Sequence, residues 1–195
     1  MPIKGLRQLA PFYFYIAVVI LLLGAAGRGN GPSRSTVLIL IASGFLSWGL
    51  VEYLLHRFVF HVDAISVFGR NFAYSSHLAH HENPKATDDL FANLKISVPI
   101  ATTYWLLAWA AVGTWRAASY LFIGLVAGYF CYEWLHFMAH HGRSRLPFFR
   151  YLRKYHLLHH YRTPDRRFGV SSPIFDLFFG TFQPVRDSVR SNRPG

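Results

Sequence analysis

Eleven histidines stand in this chain in four short clusters: His56-x4-His61, His77-x2-His80-His81, His136-x3-His140-His141 and His156-x2-His159-His160. None lies outside them. An isolated histidine is most often a packed core or surface side chain, but four clusters without a stray point to one shared purpose. Imidazole nitrogen suits iron, zinc, copper and nickel, and ten or eleven rings exceed what one ion can use. The economical reading is a site for two metal ions. Neutral imidazoles bind metal without cancelling its charge, so such a site is strongly Lewis acidic and suited to polarising oxygen or water.

Helical positions i, i+3 and i+4 share a face, so each His-x2-His-His group is expected to aim three rings in one direction. His136 and His140 share a face likewise. His56 and His61 are five apart, about 140° on a regular helix at about 100° per residue, which predicts that the helix ends or bulges between them. The clusters also repeat. Sixteen residues separate His61 from His77 and His140 from His156, and the second set follows the first by 79 residues, or by 80 for His56 and His136. Glu52 stands four residues before His56, and Glu133 three before His136. The pattern reads as two copies of one unit, each giving half of a shared site.

The elements that must position these rings are apolar. Hydrophobic residues make up 52% of the 195 and charged residues 15%, and the apolar residues gather into runs long enough to cross a bilayer. Four such runs lie at about 9–27, 36–55, 96–114 and 117–135. The first is followed by Arg28 and another span with no small-residue cleavage site, so it reads as a retained anchor and not a signal peptide. The expectation is an all-α integral membrane protein forming a single membrane-embedded domain over residues 1–195. Four transmembrane helices carry a cytoplasmic helical cap, residues 56–95 and 136–182, which holds the histidine-rich dimetal site.

Orientation follows from positive charge, because Lys- and Arg-rich segments stay in the cytoplasm. Of twenty basic residues, eleven follow His141, four lie between His56 and Lys95, and two precede the first span, leaving Arg28, Arg34 and Arg116 for the other side. Both termini and all histidine clusters are therefore expected in the cytoplasm, at the cell membrane of a bacterium or the endoplasmic reticulum of a eukaryote. The net charge of +11 flanks membrane spans and forms no soluble groove, which favours anionic lipid headgroups as partners over nucleic acid. The same field would steer an acidic electron-transfer protein toward the histidine face. Cys131, alone of its kind, lies in the fourth run and reads as packing.

These residues resemble the fatty acid hydroxylase and sterol desaturase superfamily. The run Glu52-Tyr-Leu-Leu-His56-Arg-Phe-Val-Phe-His61, the groups His77-Leu-Ala-His80-His81 and His136-Phe-Met-Ala-His140-His141, and Tyr155-His156-Leu-Leu-His159-His160 match its histidine boxes in order and spacing. The tail Phe168-Gly-Val-Ser-Ser-Pro-Ile-Phe-Asp176-Leu-Phe-Phe-Gly180-Thr is similar to that of fatty acid 2-hydroxylases. The resemblance implies a helical membrane domain and oxygen-dependent hydroxylation of a lipid by two iron ions. Zinc, which binds such nitrogens at least as tightly as ferrous iron, is able to fill the same ligands in purified protein.

Carried over position by position, the resemblance makes His56, His61, His77, His80, His81, His136, His140, His156, His159 and His160 the ligands. His141 is then left for a supporting or substrate-side role. Glu52 and Glu133 are candidates to accept a ring N–H, as carboxylates beside metal-bound histidines often do, or else are charges reaching for the headgroups. Asp165 and Asp176 share that candidacy. Many eukaryotic 2-hydroxylases carry a fused haem domain, for which this chain has no spare histidine pair, so electrons are expected from a separate protein. The stretch Asp88-Asp-Leu-Phe-Ala resembles carotenoid ring hydroxylases instead, which keeps desaturation and carotenoid or sterol ring oxidation open as alternatives. A membrane metal transporter would place polar ligands midway through the spans, where this chain has no histidine or aspartate. A metal-stabilised scaffold needs four ligands, not ten.

Overall fold

The structure, a computed structural model, describes residues 6–29, 31–61, 71, 74–87 and 90–185. Its helices are α1 (Ala10–Ala26), α2 (Arg34–Leu55), α3 (Ala79–Glu82), α4 (Leu94–Val112), α5 (Trp115–His141), α6 (Pro147–Tyr161) and α7 (Ile174–Phe178). No strand occurs among the described residues. The cap residues 62–70, together with Asp88 and Asp89 of the ring-hydroxylase likeness, lie outside the described residues.

Each apolar run is one helix, with ends set by local chemistry. Ser33, Asn93 and Thr114 accept the backbone N–H three residues on, at 3.2, 3.2 and 3.3 Å, and so start α2, α4 and α5. Gly113 ends α4 at φ 75°, a left-handed turn that a side chain would resist, and α5 begins two residues later. α5 runs unbroken from the fourth apolar run through the third histidine cluster, because nothing between Leu135 and His141 interrupts a helix and Gly142 is the first residue that does.

α2 does not stop at His56. It widens into a π-helical turn over His56–Phe60, in which i→i+5 spacing returns His61 to the side of His56, ring centroids 5.0 Å apart. The expected bulge is this turn. A second π turn, Tyr74–Leu78, leads into α3.

α5 is the centre of the bundle and packs against α1, α2, α4 and α6. Its crossing with α2 brings backbones together: a Cβ at Gly124 would stand 2.0 Å from the Ile41 carbonyl, and one at Gly44 1.9 Å from that of Leu121. Small residues allow such approach where helices gain by van der Waals contact. Tyr15, Trp48, Phe122, Leu125, Val126 and Tyr129 form the core cluster. On the outside Ile20, Leu21, Leu38, Leu46 and Leu107 are exposed, a surface suited to lipid tails. α2 with its π turn, Arg34–Phe60, and α5 are both long and apolar enough to cross a bilayer, while α1 is apolar but shorter.

Candidate metal centre

Ten histidines meet in two groups of five: His56, His61, His77, His81 and His159, and His80, His136, His140, His156 and His160. Within each, one ring nitrogen per residue lies within 4.8 Å of all the others. His141 belongs to neither; its ring packs on Phe137 at 5.1 Å. The groups touch through His81 and His160, whose rings stack at 4.0 Å and 20°.

The grouping corrects one expectation. Each triplet was expected to point three rings one way, but His77 and His81 stay in the first group while His80 joins the second, and His156 and His160 stay in the second while His159 joins the first. The middle ring is about 100° around the helix from the last, enough to reach across to the neighbouring group. Each half of the repeat thus gives four rings to its own group and one to the other.

The nitrogens suit metal. His77 and His81 approach at 2.9 Å, His140 and His156 at 2.9 Å, His80 and His140 at 3.0 Å, and His159 and His61 at 3.2 Å, all between Nε2 atoms. Nitrogens set about 2.1 Å from a common ion at right angles would lie about 3.0 Å apart. His56 donates Nδ1–H to the Phe168 carbonyl at 2.5 Å, and His159 donates Nδ1–H to that of Arg166 at 2.7 Å. Each therefore presents a bare lone pair at Nε2. The Nε2 of His56 and both ring nitrogens of His136 are buried with no hydrogen-bond partner among the described residues. Burial holds these rings neutral, the state a metal needs: His61 and His80 are pushed down to about 4, His159 to about 3, and His77, His156 and His160 well down.

The carboxylates act one step back from the rings. Glu52 does not meet a ring N–H. It accepts the backbone N–H of Val170 at 2.5 Å and of Ser171 at 2.9 Å, and the Ser171 hydroxyl. Asp176 accepts the N–H of Phe168 at 2.9 Å and of Gly169 at 2.8 Å, and the Thr181 hydroxyl at 2.7 Å. Together they grip the loop whose carbonyls orient His56 and His159. Between those two carbonyls stands Arg167, buried with φ 61°. That left-handed kink is uncommon for a residue with a side chain, and it sits where consecutive peptides must aim at different rings. Glu133 likewise misses the rings and accepts the Ala92 N–H at 3.1 Å. Asp165 is exposed, 3.8 Å from Arg166, and takes no part.

Sequence reasoning did not find the loop carbonyls, since a backbone oxygen carries no residue signature. The 79-residue repeat held a usable signal: Ser171, whose N–H meets Glu52, is 79 residues after Ala92, whose N–H meets Glu133. Each half's glutamate grips the loop of the other half.

Beside the first group lies an apolar cavity between α1, α2, α4 and α5, lined by His56 and His77 together with Trp48, Ile100, Leu125 and Val126. Val126 precedes His136 by ten residues on α5, so the cavity reaches about 15 Å from the histidine level into the bundle at about 1.5 Å per residue.

Comparison with known proteins bears on this arrangement. The chain is 33% identical over 159 residues to a dihydroceramide fatty acyl 2-hydroxylase, FAH2, of Arabidopsis thaliana, covering 79% of this chain and 65% of that protein. It is 34% identical over 173 residues to the ceramide very long chain fatty acid hydroxylase SCS7 of Saccharomyces cerevisiae, covering 86% and 44%. It is 32% identical over 155 residues to the fatty acid 2-hydroxylase of Rattus norvegicus, covering 77% and 41%. The chain thus spans just under two thirds of the plant relative's length and less than half of the other two. A solved structure described as full-length scs7p with only the hydroxylase domain visible superposes with a TM-score of 0.81 at 30% identity, covering 95% of this chain and 70% of that one. The model of the fatty acid hydroxylase family matches residues 41–181, a stretch that holds all ten converging histidines and the loop that orients them, and the chain belongs to that family.

Proposed function

We propose that this protein is a membrane-bound, oxygen-dependent lipid hydroxylase that inserts one oxygen atom into a C–H bond of an acyl chain close to its headgroup. The observation that carries this reading is that His56 and His77 serve two places at once: they belong to a five-histidine group and they line the apolar cavity. The activities for which the relatives are named, on dihydroceramide, ceramide and fatty acyl chains, support an acyl chain in amide linkage as substrate and its second carbon as the position attacked.

In this reading α1, α2, α4 and α5 cross the bilayer with both termini and the histidine groups in the cytoplasm, at the cell membrane of a bacterium or the endoplasmic reticulum of a eukaryote. His56, His61, His77, His81 and His159 hold one metal ion, and His80, His136, His140, His156 and His160 the other. The ions are iron, and zinc is able to take the same nitrogens in purified protein. Bound there, the iron pair supplies the reduction of oxygen and the oxidation of the C–H bond. The chain's own work is positional. Phe168 and Arg166 fix two rings through their Nδ1–H groups, the cavity holds the tail and excludes water, and a headgroup kept at the cytoplasmic surface leaves a near-headgroup carbon beside the first group. Two electrons per turnover come from a separate donor protein.

The test is lipid mass spectrometry of cells with and without the protein, grown in oxygen. An acyl chain that gains one oxygen, and loses that gain in His80→Ala, supports the reading. Loss of two hydrogens would move it to desaturation. No lipid change, in cells whose protein retains both metals, would refute an acyl substrate.

A further inference from the structure

We propose that the groove between the end of α5 and the outer face of α6 binds an anionic phospholipid of the cytoplasmic leaflet. The groove measures about 520 Å³. Arg143, Arg150, Arg153, Lys154 and Arg162 line it, and among the described residues no acidic side chain does. Leu135, Met138 and Leu157 supply apolar surface between the cations. Arg153 is held in place: its Nε donates to the Ala139 carbonyl at 3.0 Å, which ties the cationic α6 face to the last turn of α5.

Depth decides the ligand. Leu135 and Met138 stand in the last turns of α5, where an apolar span gives way to the cap, and Trp134, Leu146 and Phe148 beside them are exposed. Trp134 meets Phe149, another wall of the groove, edge to face at 5.3 Å. Such aromatic and apolar side chains belong at headgroup level, and basic pockets at that level bind anionic headgroups. An amphiphile satisfies both halves of the groove, with its phosphate among the arginines and its first methylenes over Leu135, Met138 and Phe149. An acidic soluble protein would meet the cations and leave the exposed Trp134, Leu146 and Phe148 in water. The site shares no residue with the cavity lined by His56 and His77, so its lipid is not the substrate. The inference rests on reading α5 as a membrane span, not on the reaction.

The experiment takes the full, metal-loaded chain in phosphatidylcholine–detergent micelles, titrates phosphatidylglycerol of the same acyl chains, and follows thermal melting. The expected result is a saturable rise in melting temperature for wild type. In the triple variant Arg143→Gln, Arg150→Gln, Arg162→Gln, all exposed positions, the same rise should require about a hundredfold more phosphatidylglycerol, from the loss of three near-surface cations. The triple variant should melt with wild type in phosphatidylcholine alone; if it does not accumulate, Arg150→Gln alone should shift the midpoint about fivefold. An equal response in wild type and variant overturns the site. Equal protection by inorganic phosphate overturns the lipid, and equal protection by polyglutamate overturns it in favour of an acidic protein. Hydroxylation assayed in the same micelles separates the two proposals, since a wild type that turns over but shows no response to phosphatidylglycerol refutes only the groove.

Discussion

His80 and His159 stand at matching places 79 residues apart, and each completes the group that the other's half of the chain builds. The Nε2 of His80 lies 3.0 Å from that of His140, and the Nε2 of His159 lies 3.2 Å from those of His61 and His81. The crossing makes the two groups interdependent, which single substitutions can expose.

His80→Ala should therefore deplete the second group and His159→Ala the first, and each should lower turnover by at least about a hundredfold, as loss of support to a metal site commonly costs 10- to 100-fold and loss of a ligand more. Metal content by mass spectrometry of the purified variants should fall toward one ion per chain. Wild-type turnover in both would sink the two-group model.

Asp176→Ala leaves the N–H groups of Phe168 and Gly169 buried without their acceptor, at about 1–3 kcal/mol for an unsatisfied buried group. The Phe168 carbonyl should lose its hold on His56, and metal affinity should fall about 10- to 100-fold. Asp165→Ala, at an exposed position, should change neither. Chelator competition on the two variants is the check, and equal metal retention would remove the loop from the account.

Acid should unfold the metal-free chain through its histidines. His61 and His80 ionise near 4 and His159 near 3 in the folded protein, against about 6.5 in an unfolded chain. Because the folded values are the lower ones, unfolding takes up protons. The stability these rings contribute is full above about pH 6.5 and is lost as pH falls from there through 4. Melting temperature should decline steadily as pH falls below 6.5. A metal-free protein that gains stability between pH 6 and 4 would contradict the neutral, buried rings.

Gly124→Ala should destabilise by about 1–3 kcal/mol, the usual cost of overpacking, because its new Cβ would stand 2.0 Å from the Ile41 carbonyl. Gly24→Ala, with nothing within 4 Å, should be neutral or mildly stabilising. Detergent-phase melting of the pair distinguishes close helix contact from a general effect of losing glycine.

Val126→Trp should shorten the cavity far from the histidines and shift products toward shorter acyl chains without changing metal content. Chain-length profiling of hydroxylated lipids is the readout, and an unchanged profile would mean the tail runs elsewhere.

Much of this site was legible in the sequence because the histidines fall only in four short clusters, at or just beyond the ends of apolar runs. The five-residue step from His56 to His61 even predicted that the helix ends or bulges between them, and it bulges into a π turn. What the spacing did not carry was allegiance. His80 and His81 are adjacent, and one-dimensional order does not say that they face different groups. Nor did Glu52 reveal its partners, which lie 118 and 119 residues on, at Val170 and Ser171. A carboxylate next to histidines invites a direct contact, and here a peptide loop stands between.

The exchange of His80 and His159 also sets a timetable for biosynthesis. A ribosome releases the first half's four rings long before His159 exists, and the Glu52 carboxylate waits longer still for Ser171. The first group reaches five nitrogens only after the fourth cluster has been made, and its loop closes only once Asp176 follows. A nascent chain stalled before residue 159 would hold the first group at four rings.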